Sequence, residues 1–143
     1  MALMAWNRSL EIGNPTIDEQ HHKLVDLINQ VHSVVASSDD RVAIGKVLAE
    51  MVEYTEFHFR FEEGLMTRAG YLRADAHKIE HQKFVDRLRE FQKKFEGGKA
   101  KINVELMFFL TKWLREHIQQ EDRKVGEHLA RQNAKRSCAT MGG

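Results

Sequence analysis

Residues 58–81 read HFRFEEGLMTRAGYLRADAHKIEH and hold two pairs of side chains of types that bind metals. His58 and Glu62 are four residues apart, and so are His77 and His81. Residues at this spacing lie on one face of a helix with their Cβ atoms about 6 Å apart, so each pair can direct two donor atoms at one point. Gly70, which lies between the pairs, favours a helix end there. The stretch therefore predicts two consecutive helices that face each other across a metal site.

The composition limits the classes of function open to the chain. Its 143 residues suit one domain, and 22 lysines and arginines against 21 aspartates and glutamates leave a formal charge of +1. Such a charge gives no strong field to attract nucleic acid or an anionic membrane. No apolar run approaches the ~20 residues that span a bilayer, the start lacks the apolar segment of a signal peptide, and the single Cys138 rules out an internal disulfide. We therefore expect a cytoplasmic protein that binds neither nucleic acid nor membrane.

Apolar residues recur at alternating steps of three and four along four segments, which is the pattern of helices with one buried face. Strand-like alternation is missing, and Pro15 is the only proline. The inward positions span Ile17–Val35, Ile44–Leu65, His77–Phe95 and Leu106–His117. Because the connections between these segments are short, the pattern predicts an all-α, up-down-up-down antiparallel four-helix bundle.

Residue types that favour helix ends divide the chain into an N-terminal arm and four helices. Residues 1–14 form the arm, and its Trp6, Leu10 and Ile12 are expected to fold back on the bundle. The sequence T-x-x-E at residues 16–19 predicts the start of the first helix. The stretch SSDD at residues 37–40 predicts a break and the cap of the second helix, and the caps predicted for the third and fourth helices are Asp75 and Asn103. The predicted helix ends are Gly70 and Gly97-Gly98.

The fourth helix breaks its own rhythm between His117 and Asp122, which are five residues apart. Five residues turn a regular α-helix through about 500°, which leaves these two side chains about 140° apart. If both face one centre, the helix must contain a π-type bulge or a loosened turn between them.

The inward positions continue after Asp122 at Val125 and Leu129, which extends the fourth helix. The bundle domain is expected to occupy residues 1–132. Beyond Gln132, the small and polar sequence NAKRSCATMGG predicts a disordered tail over residues 133–143.

Seven polar side chains occupy inward positions where a bundle normally has leucine or isoleucine. A single histidine on an apolar face is usually a hydrogen-bonded core residue, but seven unpaired polar groups would cost several kcal/mol each. Metal coordination would satisfy them together, and donors of this kind without thiolate suit iron, manganese, copper or zinc. Seven ligands exceed one tetrahedral zinc site, so two metals are the natural number. The seven are His21, His58, Glu62, His77, His81, His117 and Asp122.

Four motifs containing these residues resemble the hemerythrin family, and within it the single-domain bacteriohemerythrins. They are IDEQHHKL at 17–24, HFRFEEGLM at 58–66, HKIEH at 77–81 and WLREHIQQED at 113–122. Any one of them alone would be weak, but the set at matching spacings is specific. With the start MALMAW, the resemblance covers about residues 1–130.

The resemblance implies two non-haem iron ions joined by an oxo or hydroxo bridge. One iron would be held by His77, His81 and His117. The other would be held by His21 and His58, while Glu62 and Asp122 would bridge the pair. The adjacent His22 is an alternative to His21, but the motif DEQH and the inward spacing both select His21, and His22 lies about 100° round the helix and is expected in solvent. His32 and His128 match no ligand of the family and are expected at the surface or in packing contacts.

The family's chemistry implies reversible O2 binding by an oxygen carrier, storage or delivery protein rather than an enzyme. Histidines, bridging carboxylates and the solvent-derived bridge would fill all but one position of two octahedral irons, and O2 would take the open position on the iron with two histidines. An apolar pocket would surround that position. Its residues by resemblance are Phe59, Trp113, Leu114 and Ile118.

Three other functions remain open at the level of sequence. The first is a di-iron enzyme that handles peroxide or nitric oxide, although the Glu-x-x-His motifs of ferritin-like oxidases are missing from the ligand helices. The second is a sensor whose interaction surface responds to O2 or redox state. The third is a buffer of iron or zinc, since zinc competes well for nitrogen and oxygen donors.

Overall fold

The computed structural model describes residues 3–98, 102 and 104–141, and all regular structure in that part of the chain is helical. Helix α1 spans Pro15–Ser37, α2 spans Arg41–Arg68 and α3 spans Ala74–Glu96. The fourth helix of the bundle is continuous but has three parts. These are α4 at Val104–Glu116, a π-helix at His117–Asp122 and α5 at Arg123–Met141. The predicted all-α four-helix bundle is confirmed.

The π-helix lies where the sequence predicts a bulge, between His117 and Asp122. In a π-helix the backbone hydrogen bonds join residues five apart, so residues with this spacing return to one face. The local change in winding therefore directs both side chains to the bundle interior, and both are buried.

Local sequence predicts some helix ends correctly and misses others. The Asp40 side chain accepts hydrogen bonds from the backbone at the start of α2, and Gly70 follows the end of α2 with φ of 65°. The cap of α1 is Asn14, two residues before the predicted Thr16, with Pro15 in the first turn. Helix α3 starts before Asp75 and has no side-chain cap. The cap predicted at residue 103 lies outside the described residues.

The N-terminal arm folds back on the bundle as predicted, with Leu10 and Ile12 in the core. The Asn29 amide exchanges two hydrogen bonds of 2.8 Å with the backbone of Met4. Asp18 accepts hydrogen bonds from the backbone N–H groups of residues 12 and 13. The arm also passes so close to α5 that a Cβ at Gly126 would lie 2.3 Å from the carbonyl oxygen of Ile12. Glycine is therefore required at this crossing.

The C-terminal segment differs from the expected disordered tail, because α5 continues through Gln132 to Met141. Alanine, lysine and arginine in this segment favour helix, and no glycine or proline occurs between Glu127 and Met141 to end it. The domain boundary predicted at residue 132 is thus not marked by a break in the helix. Residues 142–143 lie outside the described part.

None of the helices in the described part of the chain has both the length and the apolar character needed to cross a membrane.

Candidate metal centre

The seven polar residues singled out in the sequence meet inside one end of the bundle. The antiparallel order brings the start of α1 and the start of α3 beside the end of α2 and the π-helix. Each helix supplies its polar residues at this level because of the inward periodicity described above. The residues and their exposures are His21 0%, His58 1%, Glu62 0%, His77 4%, His81 1%, His117 4% and Asp122 1%.

Donor atoms of these residues form two overlapping groups, each with all atoms within 4.8 Å of one another. One group contains His77, His81 and His117. The other contains His21 and His58. Both groups include Glu62 and Asp122. Two carboxylates shared between two sets of histidines is the arrangement that a pair of adjacent cations requires.

Glu62 divides its two oxygens between the groups. Oε1 lies 2.6 Å from Nε2 of His77 and 3.4 Å from Nε2 of His81. Oε2 lies 3.4 Å from Nε2 of His58 and 3.8 Å from Nε2 of His21. Oε1 therefore faces the three-histidine group, and Oε2 faces the two-histidine group.

Asp122 divides its oxygens in the same way. Oδ1 lies 3.0 Å from Nε2 of His77 and 3.1 Å from Nε2 of His117. Oδ2 lies 3.0 Å from Nε2 of His21. The π-helix makes this possible, because it turns Asp122 to the same side as His117.

The donor set fits divalent or trivalent cations. In the three-histidine group, Nε2 of His117 lies 3.1 Å from Nε2 of both His77 and His81, so three ring nitrogens converge. Several buried polar atoms of the cluster have no hydrogen-bond partner, including both ring nitrogens of His21 and both oxygens of Glu62. Unsatisfied buried groups are costly, and a bound cation would satisfy them. Imidazole and carboxylate donors without thiolate suit iron among other first-row metals.

The pKa values show how strongly the buried charges interact among the protein groups alone. Burial by itself would lower the pKa of His21 and His77, but the adjacent carboxylates of Asp122 and Glu62 raise these pKa values to about 9 and about 10. Burial would raise the pKa of both carboxyls, yet the histidines hold these two pKa values below their usual range. Burial lowers the pKa of His58. Protons therefore compete with cations for the same donor atoms.

Two residues outside the predicted set contact the outer ring nitrogens of these histidines. Gln20 Oε1 lies 2.7 Å from Nδ1 of His58, and Glu63 Oε2 lies 2.9 Å from Nδ1 of His81. The sequence analysis missed both. Their only signal was adjacency, since each precedes or follows a predicted ligand by one residue. A turn of about 100° per residue would normally direct such a neighbour to another face.

Aromatic rings cover one side of the cluster. Phe59 stacks on His81 with centroids 3.8 Å apart, and Trp113 stacks on His117 at 4.5 Å. The ring of Phe84, from α3, stacks on Trp113 with centroids 3.8 Å apart. Leu114 and Ile118 are buried.

A small cavity of about 10 Å³ lies among apolar residues that include Phe59 and Leu114. A cavity of this size is at the lower limit for one water molecule. The polar residue in its lining, Thr55, donates its hydroxyl hydrogen bond to the carbonyl of Met51 at 2.8 Å. The wall beside the cluster is thus apolar and close-packed.

Two of the remaining histidines, His22 and His128, have their partners outside the cluster. The side chain of His22 is half-exposed and lies 3.6 Å from Asp26, as expected for a solvated neighbour of His21. His128 makes a 2.8 Å hydrogen bond to the carbonyl of Ala69 and contacts the ring of Tyr71. His128 therefore fastens α5 to the end of α2.

Comparison with known proteins gives one consistent result. The family model described as "Hemerythrin HHE cation binding domain" matches residues 13–129. A bacteriohemerythrin of Stenotrophomonas maltophilia is 40% identical over 90% of this chain and 83% of its own length. One of Methylococcus capsulatus is 37% identical over 91% of this chain and 99% of its own. A crystal structure of wild-type hemerythrin superposes with a TM-score of 0.85 at 36% identity, covering 90% of this chain and 98% of that one.

Proposed function

Because the chain belongs to the hemerythrin family of non-haem iron proteins, we propose that its buried centre holds two iron ions and binds O2 reversibly. The observation that carries the proposal is the division of carboxylate oxygens. Glu62 and Asp122 each direct one oxygen at the three-histidine group and the other at the two-histidine group. A single cation would use the donors of one histidine group only, and the buried ring nitrogens of the other group would then have to be satisfied by protons and by the second carboxylate oxygens.

The ligand sets follow from these two groups. His77, His81 and His117 would hold one iron. His21 and His58 would hold the other, with Glu62 and Asp122 shared. The bound iron pair supplies the electrons that O2 binding requires. The two-histidine side has fewer protein donors, and we place O2 binding there.

The surrounding side chains favour reversible O2 binding because they exclude water and proton donors. The wall formed by Phe59, Trp113, Leu114 and Ile118 keeps bulk water out of the pocket. It also carries no carboxyl, imidazole or amine that could deliver a proton to bound oxygen. Proton delivery is what general acids contribute to bond cleavage, so a wall of this kind favours release of intact O2.

This reading favours a carrier, storage or delivery protein over an enzyme, which agrees with the family's generally non-enzymatic character. We place the protein in the cytoplasm, because a chain with a single cysteine suits a reducing compartment.

Metal analysis and a visible spectrum test the proposal together. Iron-loaded protein should contain two irons per chain, and its O2-dependent visible bands should disappear under vacuum and return with O2 over repeated cycles. One metal per chain, or bands that O2 produces only once, would contradict the proposal. Steady consumption of peroxide with a reductant would instead support an enzyme.

A neighbouring pair of histidines offers a matched control for the ligand assignment. His21→Ala should reduce the iron content below two per chain and abolish reversible O2 binding. His22→Ala removes the half-exposed ring one position away and should leave both unchanged. Equal effects of the two substitutions would count against His21 as a ligand.

A further inference from the structure

The outer ring nitrogens of the five clustered histidines have different partners. Nδ1 of His81 faces the Glu63 carboxylate at 2.9 Å, whereas Nδ1 of His58 faces the neutral amide of Gln20 at 2.7 Å. Glu80 is 3.7 Å from Nδ1 of His117, which is too far for a hydrogen bond. Nδ1 of His21 and of His77 has no hydrogen-bond partner among the described residues. Within that part of the chain, one histidine of the cluster thus has a carboxylate at hydrogen-bond distance on its outer nitrogen.

The surroundings of Glu63 indicate that its main polar contact is His81. Glu63 and His81 line a surface pocket of about 260 Å³ together with Glu56. Glu56 has a cation as partner, because Arg89 donates two hydrogen bonds to it. Glu63 directs its carboxylate inward to His81 instead, and its side chain is 26% exposed. The two acidic side chains of this pocket therefore have different partners, Arg89 for Glu56 and His81 for Glu63.

Hydrogen-bond chemistry fixes the state of the His81 ring. A carboxylate accepts hydrogen bonds, so Nδ1 of His81 carries the hydrogen and donates it to Glu63. Nε2 then keeps its lone pair and is the nitrogen that faces Glu62 at 3.4 Å. The carbonyl oxygen of Gln20 selects the same form of His58. A negative partner also makes the imidazole more electron-rich, which a neutral amide does to a smaller degree.

We propose that Glu63 is a positioning residue of the iron centre, which orients His81 and makes it the most electron-rich of the five histidines. This proposal rests on the proposed function, since it assigns His81 to the three-histidine iron. An electron-rich ligand stabilises the ferric state. The three-histidine iron is then the more easily oxidised of the two, and Gln20 orients His58 on the O2-binding side without this effect.

Two substitutions at one position separate orientation from charge. Glu63→Ala removes the hydrogen-bond acceptor and should weaken metal retention about 10-fold or more, as measured by competition with a chelator. Glu63→Gln keeps an acceptor of the same size but loses the charge. It should retain most of the metal affinity and shift the midpoint potential of the iron centre upward. Glu56→Gln, in the same pocket but paired with Arg89, is the matched control and should change neither quantity.

A second control tests the importance of distance. Glu80→Gln removes a carboxylate that lies 3.7 Å from Nδ1 of His117 with a 54% exposed side chain. It should shift the potential less than Glu63→Gln does. If Glu63→Gln leaves the potential unchanged, or if Glu56→Gln and Glu80→Gln shift it equally, the proposal is overturned and Glu63 is a surface charge only.

Zinc-substituted protein gives a readout independent of iron and O2. In wild-type protein the Nδ1–H proton of His81 should give a slowly exchanging NMR signal, and Glu63→Ala should abolish it. Loss of this signal would support the role of Glu63 even if the wild-type chain failed to bind O2, a result that would overturn the proposed function alone. A signal unchanged in Glu63→Ala would overturn the proposal about Glu63.

Discussion

The two ends of the bundle are built from the same helices but filled by opposite kinds of side chain. Away from the metal centre, the interior is aliphatic and aromatic and includes Ile28, Val31, Ile44, Leu48, Leu88, Phe95 and Met107. At the other end, seven histidines and carboxylates occupy the equivalent inward positions. Burying a large apolar side chain stabilises a protein by about 1.5–3 kcal/mol, whereas an unpaired buried polar group costs several kcal/mol. The apolar end therefore stabilises the bundle, and the polar end depends on what it binds.

This contrast predicts that stability and metal binding can be changed separately by substitutions at the two ends of the bundle. A substitution at the polar end should remove metal without unfolding the chain. A substitution at the apolar end should destabilise the chain without changing the metal content. Helix α2 allows both tests, because Leu48 and Glu62 lie on its inward face in the two different ends.

The largest effect is expected from Glu62→Ala at the polar end. Loss of the shared carboxylate removes one donor from each histidine group, so the variant should retain no stoichiometric iron and lose O2 binding. Its far-UV circular dichroism should still show a helical protein. Glu53→Ala, on the exposed face of the same helix, is the control and should keep two irons. Full iron content in Glu62→Ala would contradict the proposal that the polar end of the bundle holds the metal through Glu62.

At the apolar end, Leu48→Ala should have the converse effect. Leu48 is 1% exposed, and its truncation should lower the free energy of unfolding by about 2–5 kcal/mol. Urea denaturation measures this loss, and metal analysis should still give two irons per folded chain. Iron loss in proportion to the loss of stability would show that the two ends are coupled.

Metal removal should reverse the pH dependence of stability. The raised pKa values of His21 and His77, about 9 and about 10, mean that these groups stabilise the metal-free fold fully below their unfolded pKa near 6.5. That contribution is lost as pH rises through the folded pKa values. The lowered pKa of His58 changes the free energy of unfolding only below pH 6.5. The lowered pKa values of the two carboxyls also change it only below that pH.

Chelator-treated protein should therefore lose stability in urea between pH 6.5 and pH 10. Iron-loaded protein should keep or gain stability over the same interval, because metal binding requires neutral histidines. Parallel pH profiles for the two forms would contradict the assignment of these histidines to the metal.

The smallest effect is expected at the crossing of the arm and α5. Gly126→Ala places a Cβ 2.3 Å from the carbonyl of Ile12, so the arm must shift, at a cost of about 1–3 kcal/mol. Gly45→Ala is the matched control in α2, where the new Cβ would meet a ring carbon of Phe95 at an ordinary 3.5 Å. It should stabilise the helix by roughly 0.5–1 kcal/mol. Opposite signs in urea denaturation would confirm the close approach.

Helix boundaries show where local sequence becomes insufficient. The cap of α2 lies in the predicted stretch at residues 37–40, where the structure selects Asp40 from four candidates, and Gly70 follows α2 as predicted. At the start of α1, Asn14 and Thr16 are both good caps, and Pro15 in the first turn accompanies the observed cap at Asn14. At the start of α3 the helix begins at Ala74 without a side-chain cap, although Asp75 could supply one. The choice depends on contacts that are distant in sequence.

By itself, the sequence determined the helical period and hence which residue types face the axis of the bundle, because 3.6 residues per turn is a local property of the backbone. Its five-residue spacing also required a π-type bulge or a loosened turn if His117 and Asp122 both face inward, and the structure contains the π-helix. Only the tertiary structure decided how Glu62 and Asp122 divide their oxygens, and that Gln20 and Glu63 contact ligand histidines. These features depend on distances between helices far apart in the chain, which no spacing within one helix contains.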